Sequence, residues 1–178
     1  MIYIIGGKAR SGKDTFANIL EKNLQKKGKK TVQIKITDTL YRYIEKYFKY
    51  DLEKNEKPRE LLQRLGIELI KNKLGKKTFL LDRTKEDIEI LSNFFDTFII
   101  TDMRLKDEIN YFRDNFNDIK TIKIERLNYE SNLTETEKKH ITEIDFDNYN
   151  DFDYIIENDL IDNLEQKAKE IVEEDIWN

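Results

Sequence analysis

A glycine-rich run near the start of the chain has the residue types and spacing of a phosphate-binding loop. Gly7, Gly12 and Lys13 stand at the interval G-x-x-x-x-G-K. The run follows an apolar β-branched strand at residues 2–5 and precedes a helical pattern that begins at Asp14. Glycines let the backbone approach phosphate oxygens, and N–H groups at a helix start point at an anion. The residues expected to bind the phosphates are Gly7, Lys8, Ala9, Arg10, Ser11, Gly12, Lys13, Asp14 and Thr15.

Three side chains of this loop indicate how a nucleoside triphosphate and its metal ion would be bound. Lys13 supplies a point charge for the outer phosphates. Arg10, inside the loop, can reach the terminal phosphate or the acceptor. Asp14 stands where Ser or Thr usually holds Mg²⁺ through a hydroxyl, and a carboxylate can hold that ion directly or through water. The loop therefore predicts a nucleoside triphosphate with Mg²⁺, and it does not specify the acceptor.

Strands alternate with helical patterns along the chain, which predicts parallel β-α-β units. We therefore predict one α/β domain over residues 1–178, a three-layer P-loop NTPase fold with a five-stranded parallel sheet flanked by helices. Residues 38–96 are expected to form a helical substrate-binding region, and residues 127–150 a lid-like segment. The predicted strands are 2–5, 31–37, 97–102, 121–125 and 153–157, and the predicted helices are 14–27, 38–50, 58–75, 85–95 (capped by Thr84), 105–115 and 160–176.

Charged and amide side chains stand where such a fold binds its ligands. Asp102 ends a strand, at the sheet edge where open α/β sheets bind ligands, and suits Mg²⁺ through water. Arg104 lies two residues further on and could clamp an acceptor phosphate. Arg59 and Gln63 are four residues apart and share one helix face. The Arg59 guanidinium suits a phosphate group, and the Gln63 amide suits the edge of a base. The alternatives are a helix cap at Asp102 and an ordinary exposed polar face at Arg59 and Gln63.

Composition and charge exclude several other kinds of protein. The chain has no cysteine and one histidine, which excludes disulfides and thiolate zinc sites and argues against a Ser–His–Asp triad. No apolar run approaches the roughly 18–20 residues of a membrane helix. We expect no signal peptide before the first strand and a cytoplasmic location. The net charge of −4 argues against coating nucleic acid. Residues 1–50 carry a net +8 and residues 127–178 a net −12, and the basic first third suits a phosphate-bearing ligand.

Five stretches of the chain, in order, resemble deoxynucleoside monophosphate kinases of the bacteriophage type. The loop at residues 7–15 ends in GKDT, as in that family, instead of GKST. Residues 58–66 (PRELLQRLG) resemble the R-x-L-L-Q-x-x-G helix, and residues 101–108 (TDMRLKDE) resemble the D-V-R-F-x-x-E segment after the third strand. Residues 140–143 (HITE) resemble H-x-S-E, and residues 153–159 (DYIIEND) resemble the last strand and its N-D turn.

The resemblance implies a reaction and assigns roles to further residues. It implies transfer of the γ-phosphoryl group of ATP to a (deoxy)nucleoside monophosphate, with Mg²⁺, on an adenylate-kinase-like fold in a host cytoplasm. Arg126 would contact the transferred group from the lid side, and Asn158 with Asp159 would border the adenine. The implied catalytic residues are Lys13, Arg10, Arg104 and Arg126, and the implied acceptor-binding residues are Asp38, Arg59, Gln63, Arg104, His140 and Glu143.

The chain departs from the family pattern at four positions, and these leave the base specificity open. Met103, Leu105 and Thr142 replace Val, Phe and Ser, and Leu160 stands where a Gly is expected. Two other functions remain open. One is a P-loop kinase for a different small phosphorylated acceptor, such as phosphomevalonate or dephospho-coenzyme A. The other is a non-catalytic ATP-binding regulatory module with the acidic C-terminal helix as a partner surface. The sequence also leaves a homodimer open.

Overall fold

The computed structural model describes residues 1–126 and 141–177. In this part of the chain five parallel strands form one sheet in the order β2-β3-β1-β4-β5. This confirms the predicted α/β class with a five-stranded parallel sheet. The strands are β1 (Ile2–Gly6), β2 (Thr31–Ile34), β3 (Thr97–Met103), β4 (Ile119–Glu125) and β5 (Tyr154–Glu157).

Helices cover both faces of the sheet, which is why its central strands are continuous apolar runs. Helix α1 (Lys13–Lys26) and the last helix, α7 (Ile161–Trp177), pack together on one face. Helix α5 (Lys106–Asn115) lies against β4, and a short helix, α6 (Ile141–Ile144), follows later in the chain. The core under α1 and α7 is made by Tyr3, Ile5, Phe16, Ala17, Leu20, Leu24, Ile99, Ile122, Ile124, Ile156, Leu164, Ala168, Ile171 and Val172.

The chain divides into two compact units. The sheet unit comprises residues 1–34 and the chain from Leu91 onward, and the helical unit comprises Lys35–Ile90. The helical unit contains α2 (Asp38–Phe48), α3 (Arg59–Gln63) and most of α4 (Phe79–Leu91). It has its own core of Leu40, Ile44, Leu62, Leu65 and Ile70.

Three elements differ most from the sequence prediction. Strand β2 ends at Ile34 instead of residue 37, because the amide of Lys35 donates to Asp38 Oδ2 at 3.0 Å in a turn. Helix α4 begins at Phe79, and Thr84 does not cap it: the Thr84 hydroxyl lies inside the helix and donates to the Leu80 carbonyl at 3.0 Å.

The third difference lies in the helix predicted at residues 58–75. Its first turn is α-helical, and it continues as a wider π-helical segment, Arg64–Lys73. At its end the Leu74 amide bonds the Leu69 carbonyl at 2.9 Å, five residues back. A Cβ at Gly66 would lie 3.1 Å from Leu40 Cδ1, so the absence of a side chain lets α2 pack closely here.

Candidate functional site

The loop between β1 and α1 has a backbone that needs glycine at two positions. Gly7 has φ +144°, and a Cβ there would lie 2.5 Å from the Ile124 carbonyl oxygen. Gly12 has φ +103°, and a Cβ there would lie 2.3 Å from Asn158 Nδ2. Arg10, which is exposed, also adopts the left-handed region at φ +59°. The predicted glycine spacing therefore corresponds to real conformational requirements.

The ammonium of Lys13 lies inside this loop. Lys13 is the first residue of α1 and is buried, with 7% of its surface exposed. Its Nζ donates to the carbonyl oxygens of Gly7 at 2.9 Å and Lys8 at 2.6 Å. The loop thus wraps around a positive charge at a helix N-terminus, which is the arrangement that anion binding requires.

Ser11 lies in this loop and is almost completely buried, with 3% of its surface exposed. Its Oγ is buried and has no hydrogen-bond partner among the described residues, and the same is true of Thr101 Oγ1 on β3. Buried hydroxyls are normally paired, since leaving one unpaired costs about 1–3 kcal/mol. A phosphate oxygen at the loop would supply the missing acceptor for Ser11.

A bulge at the end of β3 sets the position of Asp102. Ile4 pairs with Ile100, but Gly6 pairs with Met103, so β3 carries one residue more than β1 over this interval. Asp102 lies in the bulge, half-buried, beside the strand that leads into the loop. Bulges of this kind redirect side chains next to functional sites.

Arg104 follows the bulge, and the next helix has its own cap. The Glu108 carboxylate accepts hydrogen bonds from the backbone amides of Arg104 and Leu105, both at 2.9 Å. Glu108 thus holds the two residues that lead into α5, and the first helical amide, that of Lys106, donates to Asp145 Oδ2 at 2.7 Å. Arg104 is half-buried at the same carboxyl edge of the sheet, and Arg126 is exposed directly after β4.

Asn158 joins the end of β5 to the loop. Its backbone N–H donates to the Glu125 carbonyl at 2.6 Å, and its side-chain Nδ2 donates to the Ser11 carbonyl at 2.8 Å. Asp159 is exposed, and its carboxylate accepts hydrogen bonds from the Leu160 amide at 2.7 Å and from Asn163 at 3.0 Å. These hydrogen bonds hold the pKa of Asp159 below its ordinary value, so the group stays ionised.

The end of the segment predicted to be lid-like, together with Phe152 just after it, packs beside the loop. Phe146, Tyr149 and Phe152 form an aromatic cluster with ring centroids 5.2–6.0 Å apart. Phe146 lies so close to Gly6 that a Cβ there would be 2.8 Å from its ring. Lys123, buried on β4, donates to the Phe146 carbonyl at 2.9 Å. The three-residue spacing of these aromatics in an otherwise polar stretch was the available signal, but spacing does not indicate what they contact.

The remaining predicted site residues lie on helices or outside the described part of the chain. Asp14 is exposed in the first turn of α1. Asp38, Arg59 and Gln63 belong to the helical unit, where Asp38 begins α2 and the other two stand at the ends of α3. The remaining two, His140 and the side chain of Glu143, lie outside the described part of the chain, as does most of the lid-like segment, at 127–140.

The carboxylates near the loop fit a magnesium ion that is held mainly by its nucleotide. Across residues 1–126 and 141–177, no group of three or more Asp, Glu, His or Cys could by itself hold a metal. Mg²⁺ bound with a nucleotide usually takes one or two carboxylates, keeps several waters and is completed by phosphate oxygens. Asp14 and Asp102 are the carboxylates suited to that role. Among the described helices, none has the length and apolar character needed to cross a membrane.

Comparisons with known proteins identify the fold. Neither the known family models nor the curated protein sequences give a match. Among solved structures, APE1195 is 16% identical with a TM-score of 0.56, over 98% of this chain and 95% of its own. Shikimate kinase from Aquifex aeolicus is 14% identical with a TM-score of 0.53, over 100% and 99%.

Shikimate kinase from Bacteroides thetaiotaomicron is also similar, at 14% identity and a TM-score of 0.52, over 97% of this chain and 98% of its own. At such identities the likeness concerns the fold, and it extends over nearly the whole length of each chain. The parallel sheet, its strand order and the loop before α1 agree with this. The chain has the P-loop kinase fold.

Proposed function

We propose that this chain is an ATP-dependent kinase that phosphorylates a (deoxy)nucleoside monophosphate. The observation that carries the proposal is the burial of the Lys13 ammonium within a loop whose glycines have the required backbone angles. The fold supports a P-loop kinase, and two similar structures are themselves kinases of a small molecule. The nature of the acceptor rests on the resemblance to deoxynucleoside monophosphate kinases.

The loop would bind the phosphates of ATP. Lys13 would neutralise the outer phosphates, and the Ser11 hydroxyl would donate to a phosphate oxygen. Asp14 and Asp102 would hold Mg²⁺, directly or through water, and the bound ion would offset charge on the transferred phosphoryl group.

The acceptor side needs cations and an amide. An oxygen of the acceptor monophosphate attacks the γ-phosphorus of ATP, and the bond from that phosphorus to the bridging oxygen of ADP breaks. The products are ADP and a nucleoside diphosphate. The attacking oxygen is already anionic near neutral pH, so the protein must mainly position the groups and neutralise charge. The cations would be Arg104, which follows β3, and Arg126, which follows β4. On α3, Arg59 would suit a phosphate group and Gln63 the edge of a base.

A kinase of a hydroxyl-bearing acceptor is a second candidate, and the two shikimate kinases among the similar structures favour it. An alcohol carries its proton at neutral pH, so such a reaction requires a general base that a phosphate acceptor does not need. The two candidates therefore differ in their acceptor chemistry and in their dependence on a base.

The test is ADP release from Mg·ATP with each ribo- and deoxyribonucleoside monophosphate, shikimate, phosphomevalonate and dephospho-coenzyme A added in turn. Release that depends on a nucleotide supports the proposal and identifies the base. Release that depends only on one of the other compounds identifies that compound as the acceptor and rules out a nucleotide acceptor. If no compound accelerates ADP release while ATP still binds, the proposal is wrong and a regulatory ATP-binding module is favoured. Lys13→Ala should lose this ADP release. Lys22→Ala, which removes a positive charge from an exposed position on α1, is the control and should retain it.

A further inference from the structure

Asn158 connects two parts of the sheet unit that are distant in sequence. Its backbone amide donates to the Glu125 carbonyl at 2.6 Å, which fixes the residue at the end of β4. Its side chain donates to the Ser11 carbonyl at 2.8 Å, across 147 residues of sequence. Both contacts lie at the carboxyl edge of the sheet, where the loop begins.

The hydrogen bond to Ser11 orients a single peptide plane of the loop. The Ser11 carbonyl and the Gly12 N–H belong to the same planar trans peptide and therefore point in opposite directions. Because Asn158 holds the carbonyl, the Gly12 N–H is directed away from Asn158. This N–H immediately precedes Lys13 and is one of the donors that a helix N-terminus offers to an anion.

The close approach of Asn158 also explains the residue at position 12. A Cβ on Gly12 would lie 2.3 Å from Asn158 Nδ2 and 3.3 Å from its Cγ. The side chain of Asn158 thus fills the space that glycine leaves, next to a backbone angle of φ +103°. Gly12 and Asn158 are thus packed against each other, and a side chain at position 12 would collide with the Asn158 amide.

We infer that Asn158 is a positioning residue of the phosphate-binding loop, and that it acts by holding the Ser11–Gly12 peptide in its anion-binding orientation. This rests on the proposed function for the identity of the ligand. It differs from the role that the resemblance implies, a contact with adenine, because both observed hydrogen bonds of Asn158 are made to the protein at the loop and at β4. Without the amide, the peptide can rotate and the loop loses a phosphate donor.

Two ligands distinguish loop positioning from a contact with the base. ADP carries both phosphates and adenine, whereas inorganic pyrophosphate carries phosphates alone. In Asn158→Asp the donor is replaced by a charged acceptor of the same shape, and in Asn158→Ala it is removed. For both variants we expect affinity for ADP and for pyrophosphate to fall by a similar factor, about tenfold, measured by calorimetry. A loss confined to ADP would show an adenine contact and overturn the inference.

A matched control separates the specific effect from a general one. Asn23 is half-buried like Asn158, and its Nδ2 donates to a backbone carbonyl, that of Ile19, at 2.9 Å. Asn23→Asp makes the same chemical change away from the loop, and we expect both ligands to bind within about twofold of the unmodified protein. Equal losses in Asn23→Asp and Asn158→Asp would show a nonspecific effect of charge and would overturn the inference.

A further measurement does not depend on any ligand. Amide hydrogen exchange in the protein alone reports how firmly the loop backbone is held. We expect Asn158→Ala to speed exchange at residues 7–13 while circular dichroism and the α7 amides stay unchanged. Unchanged exchange at residues 7–13 would contradict the inference even if the protein binds no nucleotide. Failure of the unmodified protein to bind ADP would count against the proposed function alone.

Discussion

The ammonium of Lys8, in the phosphate-binding loop, lies 2.6 Å from the carboxylate of Asp147, in the segment that follows α6. Both side chains are about half exposed, so the pair adds little to stability. Its effect on the site is electrostatic, because it places a negative charge beside a loop that is expected to bind phosphates. We therefore expect Asp147 to compete with a phosphate for Lys8.

Replacing Asp147 with Asn should strengthen nucleotide binding. We expect Asp147→Asn to raise the affinity for ATP about two- to fivefold at low salt, with a smaller gain at high salt because ions screen exposed charges. Calorimetric titration at two ionic strengths measures this. Asp114→Asn, which removes an exposed charge from α5, is the control and should leave affinity unchanged. Weaker binding in Asp147→Asn would mean that the pair holds Lys8 in a productive position instead.

Removing the Lys13 ammonium should greatly slow turnover and leave the fold intact. The side chain donates hydrogen bonds to the loop carbonyls of Gly7 and Lys8, and the substitution leaves the α1 core residues Phe16 and Leu20 in place. We expect Lys13→Ala to lower kcat by about 10²–10³-fold, the usual effect of losing a donor to developing charge. Steady-state ADP release and circular dichroism measure the two properties. An unfolded variant would show that Lys13 is needed for structure.

Adding a side chain at Gly7 should destabilise the protein more than adding one at Gly28, a glycine that also has a positive φ but has open space around it. A Cβ at Gly7 meets the Ile124 carbonyl oxygen at 2.5 Å, whereas nothing lies within 4 Å of a Cβ at Gly28, φ +81°. We expect Gly28→Ala to cost about 1 kcal/mol of unfolding free energy and Gly7→Ala about 2–4 kcal/mol with loss of ATP binding. Urea denaturation compares them. Equal costs would mean that the loop relaxes around the added methyl.

The pKa of Tyr3 predicts a pH-dependent contribution to stability. Tyr3 is buried, and its hydroxyl donates to Asp175 at 2.6 Å. Burial, together with this carboxylate, raises the pKa of Tyr3 above its ordinary value. A group with a raised folded pKa stabilises the protein fully below its unfolded pKa, about 10 for tyrosine, and loses that contribution as the pH rises from there.

We therefore expect Tyr3→Phe to be less stable than the unmodified protein by about 1–2 kcal/mol near neutral pH, since Asp175 loses a donor. The difference should shrink as the pH rises above about 10, because only the unmodified protein must keep Tyr3 protonated in order to fold. Urea denaturation across this range measures it. Tyr43→Phe, on α2, controls for the loss of a tyrosine hydroxyl elsewhere. A difference that does not change with pH would contradict the expectation.

The sequence predicted the features that depend on short stretches of chain. The G-x-x-x-x-G-K spacing predicted the loop, and the structure has left-handed backbone at Gly7 and Gly12. Apolar β-branched runs predicted all five strands, and three- and four-residue periods predicted α1, α2, α5 and α7 within a few residues. The failures at Thr84 and at the end of β2 occurred where a polar side chain bonded a nearby carbonyl or amide in place of the expected partner.

By itself, then, the sequence determined the fold class and the loop, because both follow from local periodicity and from residue types at short spacing. The tertiary structure alone decided what surrounds the loop. The bulge that positions Asp102, the hydrogen bond from Asn158 to Ser11 and the pairing of Lys8 with Asp147 join residues far apart in the chain. Such contacts depend on which strands become neighbours in the sheet, since that order brings together side chains that no local pattern relates.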